Sequence, residues 1–310
     1  MQQENELGMP HPRKFNSRPV GLLALTLLFL SAIAQGAPES PGADWPESIT
    51  ARVGTLSVRF ESRSFWTLYR IDHEGVRLCL DKWGSHYGSV AKFPGVGFIG
   101  SGHTENEDEV LESLAFYVDG AAVPVPSDVP SARSVQLEKH SRLRTLNLHS
   151  TVTVHPDRIY ESVSVTASED TPLELMYHFM HPWDPAMTHY IGMGQDGVLR
   201  RGIFDNDKKQ ELDVPTSWSA VYNETQKRGA LTVVLKAPRK GWRTRYWDVP
   251  GRYRKHYFTT FLNETFLAGS KAEYHIVTVP FRADVNVWEE EAYRLVDTAH
   301  QTARKDGVVD

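Results

Sequence analysis

The chain of 310 residues carries 34 lysines and arginines against 39 aspartates and glutamates, a net charge of −5 with histidine neutral. That balance gives no electrostatic reason to expect nucleic acid or an anionic membrane surface as a partner. A single cysteine, Cys79, excludes an intrachain disulfide framework, so a large hydrophobic core has to hold the fold.

The chain opens on a targeting pattern. Arg13, Lys14 and Arg18 precede an apolar run over 21–34 that is too short to span a bilayer, and the run ends in small residues, Ala34-Gln35-Gly36. Residues 1–36 therefore read as a cleaved signal peptide with no stable membrane anchor, and the expected location is secreted or periplasmic. Residues 37–48, rich in Pro, Gly and Ser, read as a flexible leader, and 49–310 as a single domain.

From Ile49 onward, short apolar runs alternate with turn signals. Runs at 49–53 and 56–60 flank Gly54-Thr55, and 65–71 and 76–80 follow. Residues 82–112, glycine-rich and punctuated by His86, Tyr87 and His103, read as a long loop of the kind that often carries function. Strands are expected again at 114–118, 143–154 and 159–165, then at 173–180, 198–204, 218–222, 230–235, 257–262 and 274–281. Near the end, Asn286-Val287-Trp288-Glu289 has the capping-box pattern, and Trp288, Ala292, Leu295, Val296 and Ala299 recur at helical spacing. Many strands with one helix exclude βαβ architectures, and the lack of a fixed repeat argues against a propeller. The expected fold class is all-β, a large antiparallel β-sandwich with one C-terminal α-helix.

No P-loop, dinucleotide fingerprint, HExxH or paired CxxC is present, and no Gly-x-Ser-x-Gly stands between a strand and a helix. No cofactor is expected. Histidines 86, 103, 178, 181 and 189 lack the tight spacing of a zinc signature, so no metal is expected either.

Two stretches carry the functional expectation. The first is 171–190, TPLELMYHFMHPWDPAMTHY. Strand alternation puts Glu174, Met176, His178 and Met180 on one face and Leu173, Leu175, Tyr177, Phe179 and then His181 on the other. Pro182 and Pro185 predict that the chain leaves the ladder there, and His189-Tyr190 brings in another imidazole. TPLELMYHF resembles the strand T-P-V-N-L-T-N-H-x-Y of the galactose mutarotase (aldose 1-epimerase) superfamily, with Thr171, Pro172, Leu175 and His178 in register. Leu267-Ala268-Gly269, leading into 274–281, is similar to the closing strand of that family. The resemblance implies a supersandwich with a concave carbohydrate-binding face, on which His178 is the general acid. Glu174, Met176 and Tyr177 depart from the family's Asn, Thr and Asn, and Glu264 does not match its glutamate base. Ser85-His86-Tyr87-Gly88 is loosely similar to the family's histidine-glycine motif, and His86 and His103 are expected at the rim of the cleft.

The second stretch is 239–257, RKGWRTRYWDVPGRYRKHY, where basic and aromatic residues interleave. Aromatic faces stack on sugars, and guanidinium groups pair with carboxylate or sulfate. A β-elimination needs a cation beside the uronate and a base for the neighbouring proton. The catalytic candidates are therefore His178, His103, His86 and Tyr246. The substrate-contact candidates are Arg243, Arg245, Trp247, Glu174, His189, Tyr190, Arg252 and His256. The expected function is an exported carbohydrate-active protein that binds a sugar or acidic polysaccharide, with lyase-type and epimerase-type proton transfer both open. The alternatives are a non-catalytic carbohydrate-binding module and a structural envelope protein.

Overall fold

The alternating apolar residues are buried by stacking sheets on one another in the computed structural model, which describes residues 45–81, 87–101 and 106–309. β1 (Ser48–Val53) and β2 (Leu56–Glu61) turn at Gly54, where φ is 59° and an added Cβ would lie 2.4 Å from Pro156 Cβ. Only glycine fits that approach. β3 (Thr67–His73) and β4 (Val76–Arg77) continue the meander. The stretch expected as a long loop instead contains a hairpin of β5 (Gly88–Phe93) and β6 (Gly97–Gly100), followed by β7 (Val110–Val118). β8 (Ala121–Val123) and β9 (Asp128–Ala132) come next. The run expected as one strand at 143–154 is split by a turn at Arg144-Thr145 into β10 (Val135–Leu143) and β11 (Leu146–His155), and β12 (Arg158–Ala167) follows.

The expected strand at 173–180 is also two elements, β13 (Thr171–Leu173) and β14 (Leu175–Trp183). β15 (His189–Gly194), β16 (Leu199–Ile203), β17 (Gln210–Val214), β18 (Thr216–Asn223) and β19 (Arg228–Lys236) lead to the basic-aromatic stretch. That stretch is the hairpin of β20 (Arg243–Val249) and β21 (Tyr253–Thr260). β22 (Glu264–Phe266), β23 (Lys271–Arg282) and α1 (Trp288–Lys305) complete the described chain.

The central layer is a ten-stranded sheet, ordered β16-β15-β18-β19-β23-β12-β11-β10-β7-β8. One of its faces is covered by two sheets. The five-stranded sheet β4-β3-β2-β1-β9 buries Ile49, Val58, Leu68 and Ile71 against Leu114, Leu137 and Val154. The six-stranded sheet β17-β20-β21-β14-β5-β6 buries Met176, Phe179, Trp242 and Phe258 against Leu148, Val165, Tyr274 and Ile276. β13 and β22 form a separate two-stranded ribbon, and the pairing of β1 with β9 is parallel. This is the expected all-β sandwich with one C-terminal helix.

On the other face of the ten-stranded sheet, α1 packs Trp288, Ala292, Ala299 and Ala303 onto Tyr222, Leu231, Val233 and Val277. The helix follows Val287 without a side-chain cap, so the expected Asn286 capping box is not formed; Glu289, Glu290 and Glu291 stand at its positive end instead. No helix among the described residues is long and apolar enough to cross a membrane. Cys79 is fully buried beside Trp183, and burial raises its thiol pKa, which makes it a core residue rather than a nucleophile.

Trp288 is 4% exposed and its ring stacks on Tyr222 at 5.0 Å with planes 4° apart. Trp288→Ala should cost about 3–5 kcal/mol, the usual loss for a buried large aromatic. Urea unfolding measures it, and a loss below about 1 kcal/mol would mean that the helix contributes little to the core.

Candidate functional site

The decisive local feature lies in β14. Across from β21, His178 pairs with Phe258 and His181 with His256, so two residues of β14 oppose one of β21. The same shift appears against β5, where Tyr177 pairs with Val90 and Met180 with Gly88. Phe179 sits at the shift with φ of 50°. This β-bulge resets the alternation. His181 consequently returns to the face of His178, and Met180 joins Tyr177 on the opposite face, which corrects the simple period-two expectation. The strand also continues through Pro182, paired with Lys255, to Trp183, paired with Arg254.

The inner side of the six-stranded sheet, facing the ten-stranded sheet, is polar at its centre. His178 is 1% exposed, its Nε2 lies 2.9 Å from Thr260 Oγ1, and its ring meets Tyr274 edge-on. Burial lowers its pKa to about 3, so it is a neutral core imidazole at physiological pH. His256 is fully buried, its pKa likewise held well down by burial, and its Nε2 lies 3.3 Å from Ser219 Oγ. The buried Tyr246 donates to the same Ser219 Oγ at 3.0 Å. Tyr190 extends this cluster through its ring contacts with Phe204 and Tyr246, and its hydroxyl donates to Glu211 at 2.7 Å. Burial raises the pKa of both tyrosines. Ser219, Thr232 and Thr278 lie in register on the facing strands and continue the polar row.

Sequence reasoning passed over Glu161 and placed His181 wrongly. His181 Nε2 is 2.9 Å from Glu161 Oε1, close but out of line for a hydrogen bond, so the contact is an ion pair when the imidazole is protonated. Glu161 also lines a cavity of about 40 Å³ with Ser89, Lys139, Ser150 and Tyr274. That volume admits water and not a sugar ring. Lys139 is tied to Glu109 at 2.7 Å and to Phe65 O at 2.8 Å, a buried charge with two of its three donors used. Pairing across β10, β11 and β12 is the signal that groups Lys139, Ser150 and Glu161, and it becomes visible only once the turn at Arg144-Thr145 is placed.

The outer side of the same sheet is a different surface. Lys92, Phe98, Tyr177, Tyr257, Arg245 and Trp247 project there from five neighbouring strands. Phe98 and Tyr177 stack at 5.9 Å, and Tyr177 meets Tyr257 edge-on at 4.8 Å. Arg245 donates to Asp213 at 2.7 Å, and Arg243 donates to Asp213 O at 2.9 Å. Lys92 pairs with Glu174 and lies over the Phe98 ring. Burial raises the pKa of Tyr177 and Tyr257. The indole Nε1 of Trp247 and the hydroxyl of Thr259, also on this face, are buried without a hydrogen-bond partner.

Among the described residues, the expected ones therefore do not converge in one cleft. His178, Tyr246, His256 and Tyr190 are interior, whereas Arg243, Arg245, Trp247 and Glu174 are on the outer side. Arg252 is exposed in the β20–β21 turn. His189 lies on the helix-covered face of the ten-stranded sheet, bonded to Thr188 Oγ1 at 2.8 Å and near Trp288. His86 and His103 lie outside the described residues.

Solved structures share the architecture. Similar in fold are the Slr1438 protein from Synechocystis sp. PCC 6803 and a galactose mutarotase-like protein from Lactobacillus casei. The first has a TM-score of 0.50 at 5% identity over 77% of this chain and 97% of that one. The second has a TM-score of 0.46 at 9% identity over 76% of this chain and 100% of that one. Heparan sulfate lyase HepC from Pedobacter heparinus gives 0.44 at 7% identity, over 74% of this chain and 33% of that one. The relationship to galactose mutarotase-like structures is distant and lies in the fold. No family model matches the sequence, and no curated protein matches it.

The buried imidazoles make stability depend on pH. His178 holds its folded pKa near 3 against 6.5 ordinarily, so the unfolded chain takes up its proton first. The stabilisation is complete above about pH 6.5 and is lost progressively as the pH falls towards 3, at about 1.4 kcal/mol per pH unit for one such group. His178→Gln should flatten the pH dependence of the unfolding free energy between pH 4 and 6 by about that slope. An unchanged slope would mean that the imidazole charges within the fold.

Proposed function

We propose that this is an exported protein that binds a sugar or an acidic polysaccharide on the outer face of the six-stranded sheet. The single observation that carries the proposal is the contiguous aromatic platform of the half-buried Phe98, Tyr177 and Trp247, packed over the buried Tyr257 and bordered by Lys92, Arg243 and Arg245. Aromatic rings offer flat apolar area to the C–H faces of sugars, and the guanidinium and ammonium groups complement carboxylate or sulfate. Asp213 and Glu174 hold Arg245 and Lys92 in place without cancelling the positive border, because Arg243 and Arg245 share one carboxylate. The export half of the proposal rests on the basic residues and short apolar run within residues 1–36.

Binding suits this face better than proton transfer. Tyr177 and Tyr257 have raised pKa values, which leaves them protonated at neutral pH and weak as bases. Lyase- or epimerase-type chemistry is the second reading, favoured by one observation: Glu161 beside His181 at a cavity that also holds Tyr274 and Lys139. That chemistry needs the cavity to widen until it admits a sugar ring.

A panel of acidic and neutral polysaccharides, titrated against intrinsic tryptophan fluorescence, tests the binding. Trp247→Ala and Arg245→Ala should each weaken the best ligand about tenfold or more, equivalent to about 1.4 kcal/mol, and the Arg245 effect should shrink at high salt. Wild-type affinity in both variants would move the site elsewhere, and no binding across the panel would end the proposal. Absorbance of unsaturated uronate in the same incubations separates the readings. Retained affinity without product is expected, whereas product that disappears in Glu161→Gln would establish the lyase.

A further inference from the structure

Away from the platform, on the uncovered part of the ten-stranded sheet, β10 and β11 bring together three metal-ligating side chains. His140 and His149 are directly opposite in register, and Glu138 stands two residues before His140 on the same face. The imidazole rings stack at 4.3 Å with planes 7° apart. Both Nε2 atoms converge on one carboxylate oxygen: Glu138 Oε1 is 2.7 Å from His149 Nε2 and 3.5 Å from His140 Nε2. All three potential ligand atoms lie within 4.8 Å of one another.

We infer that Glu138, His140 and His149 form a divalent transition-metal site whose occupant is Zn²⁺. Two imidazole nitrogens with one carboxylate oxygen match a borderline cation, whereas Ca²⁺ and Mg²⁺ take all-oxygen shells. Ligands at about 2.0–2.1 Å in tetrahedral array stand about 3.3 Å apart. The present spacings bracket that value, so small rotations of the two rings out of their stack complete the set. Those rotations are open to both side chains, which are 44% and 45% exposed. The ladder fixes their Cβ atoms, as opposite residues of an antiparallel pair are held about 5 Å apart. Tyr117, opposite Gln136 on β7 and so on the same face as Glu138, is placed to act as an outer partner of the carboxylate. A fourth position faces solvent, which is the arrangement of a site that keeps a water. The sequence expectation of no metal is revised here because the pair is cross-strand: eight residues lie between His140 and His149 in the chain, and no linear zinc spacing reveals them.

The test uses the full chain without an affinity tag, stripped with a chelator and titrated with Zn²⁺ by calorimetry. Co²⁺ then serves as a visible-spectrum probe of the same site. One Zn²⁺ per chain is expected, with that equivalent lost in the His140→Ala/His149→Ala double variant and Glu138→Gln at least about tenfold weaker. An unchanged far-ultraviolet circular dichroism spectrum checks the fold of the variants. Absence of Zn²⁺ uptake by the wild type would overturn the assignment, and so would equal uptake by the double variant.

Discussion

One extra residue in β14 determines what each surface of this protein can do. Side chains on a strand alternate with period two, so a single inserted residue exchanges the faces of everything beyond it. At Phe179 the backbone takes the left-handed conformation, which costs a non-glycine residue roughly 1–2 kcal/mol. The surroundings hold it there: the Phe179 ring packs on His181, His256 and Phe258. The bulge gathers His178, His181 and Trp183 inside and leaves Tyr177 and Met180 outside. Without it, His181 would face outward beside Tyr177, and Glu161 would lose the imidazole that it meets.

The polar layer between the two sheets is a consequence of that gathering. A buried imidazole is tolerable when neutral and hydrogen-bonded, and it is costly when charged. Thr260 and Ser219 supply partners for His178 and His256, and burial keeps both rings uncharged. The charged members are paired instead, Lys139 with Glu109 and Arg254 with Asp248. Such a layer also fixes register, because a slip by one residue would strand each of these groups in apolar surroundings. An all-apolar interior would tolerate such a slip more readily.

The sheet architecture was legible because alternation and turn signals survive in most strands, and the terminal helix because Trp288, Ala292 and Ala299 keep helical spacing. The strands inside 82–112 were hidden by their glycines, which supply little apolar pattern although Gly88 and Gly100 sit at tight crossings. The separation of Tyr246 from Arg245 and Trp247 was available in principle: in a strand at 243–249, neighbours cannot share a face. The bulge was not available, since nothing about phenylalanine advertises positive φ. The His140–His149 pair required placing the turn at Arg144-Thr145, and a turn without glycine, asparagine or proline gives a weak signal.

The two faces of the six-stranded sheet also divide the chemistry between them. The inner face holds the described imidazoles of β14 and β21, the groups suited to moving protons, all of them buried, and the cavity lined by Glu161 and Tyr274 admits water but no sugar ring. The outer face holds the flat apolar rings and the guanidinium groups, the elements of recognition, together with tyrosines whose burial keeps them protonated. A catalyst needs both sets within reach of one substrate atom, because an acid or base works at hydrogen-bond distance from the proton that it moves. Here the backbone of the sheet stands between them. That separation of the two sets is what favours the proposed binding role over proton-transfer chemistry on the outer face. The bulge that sends His181 inward is what makes that division complete.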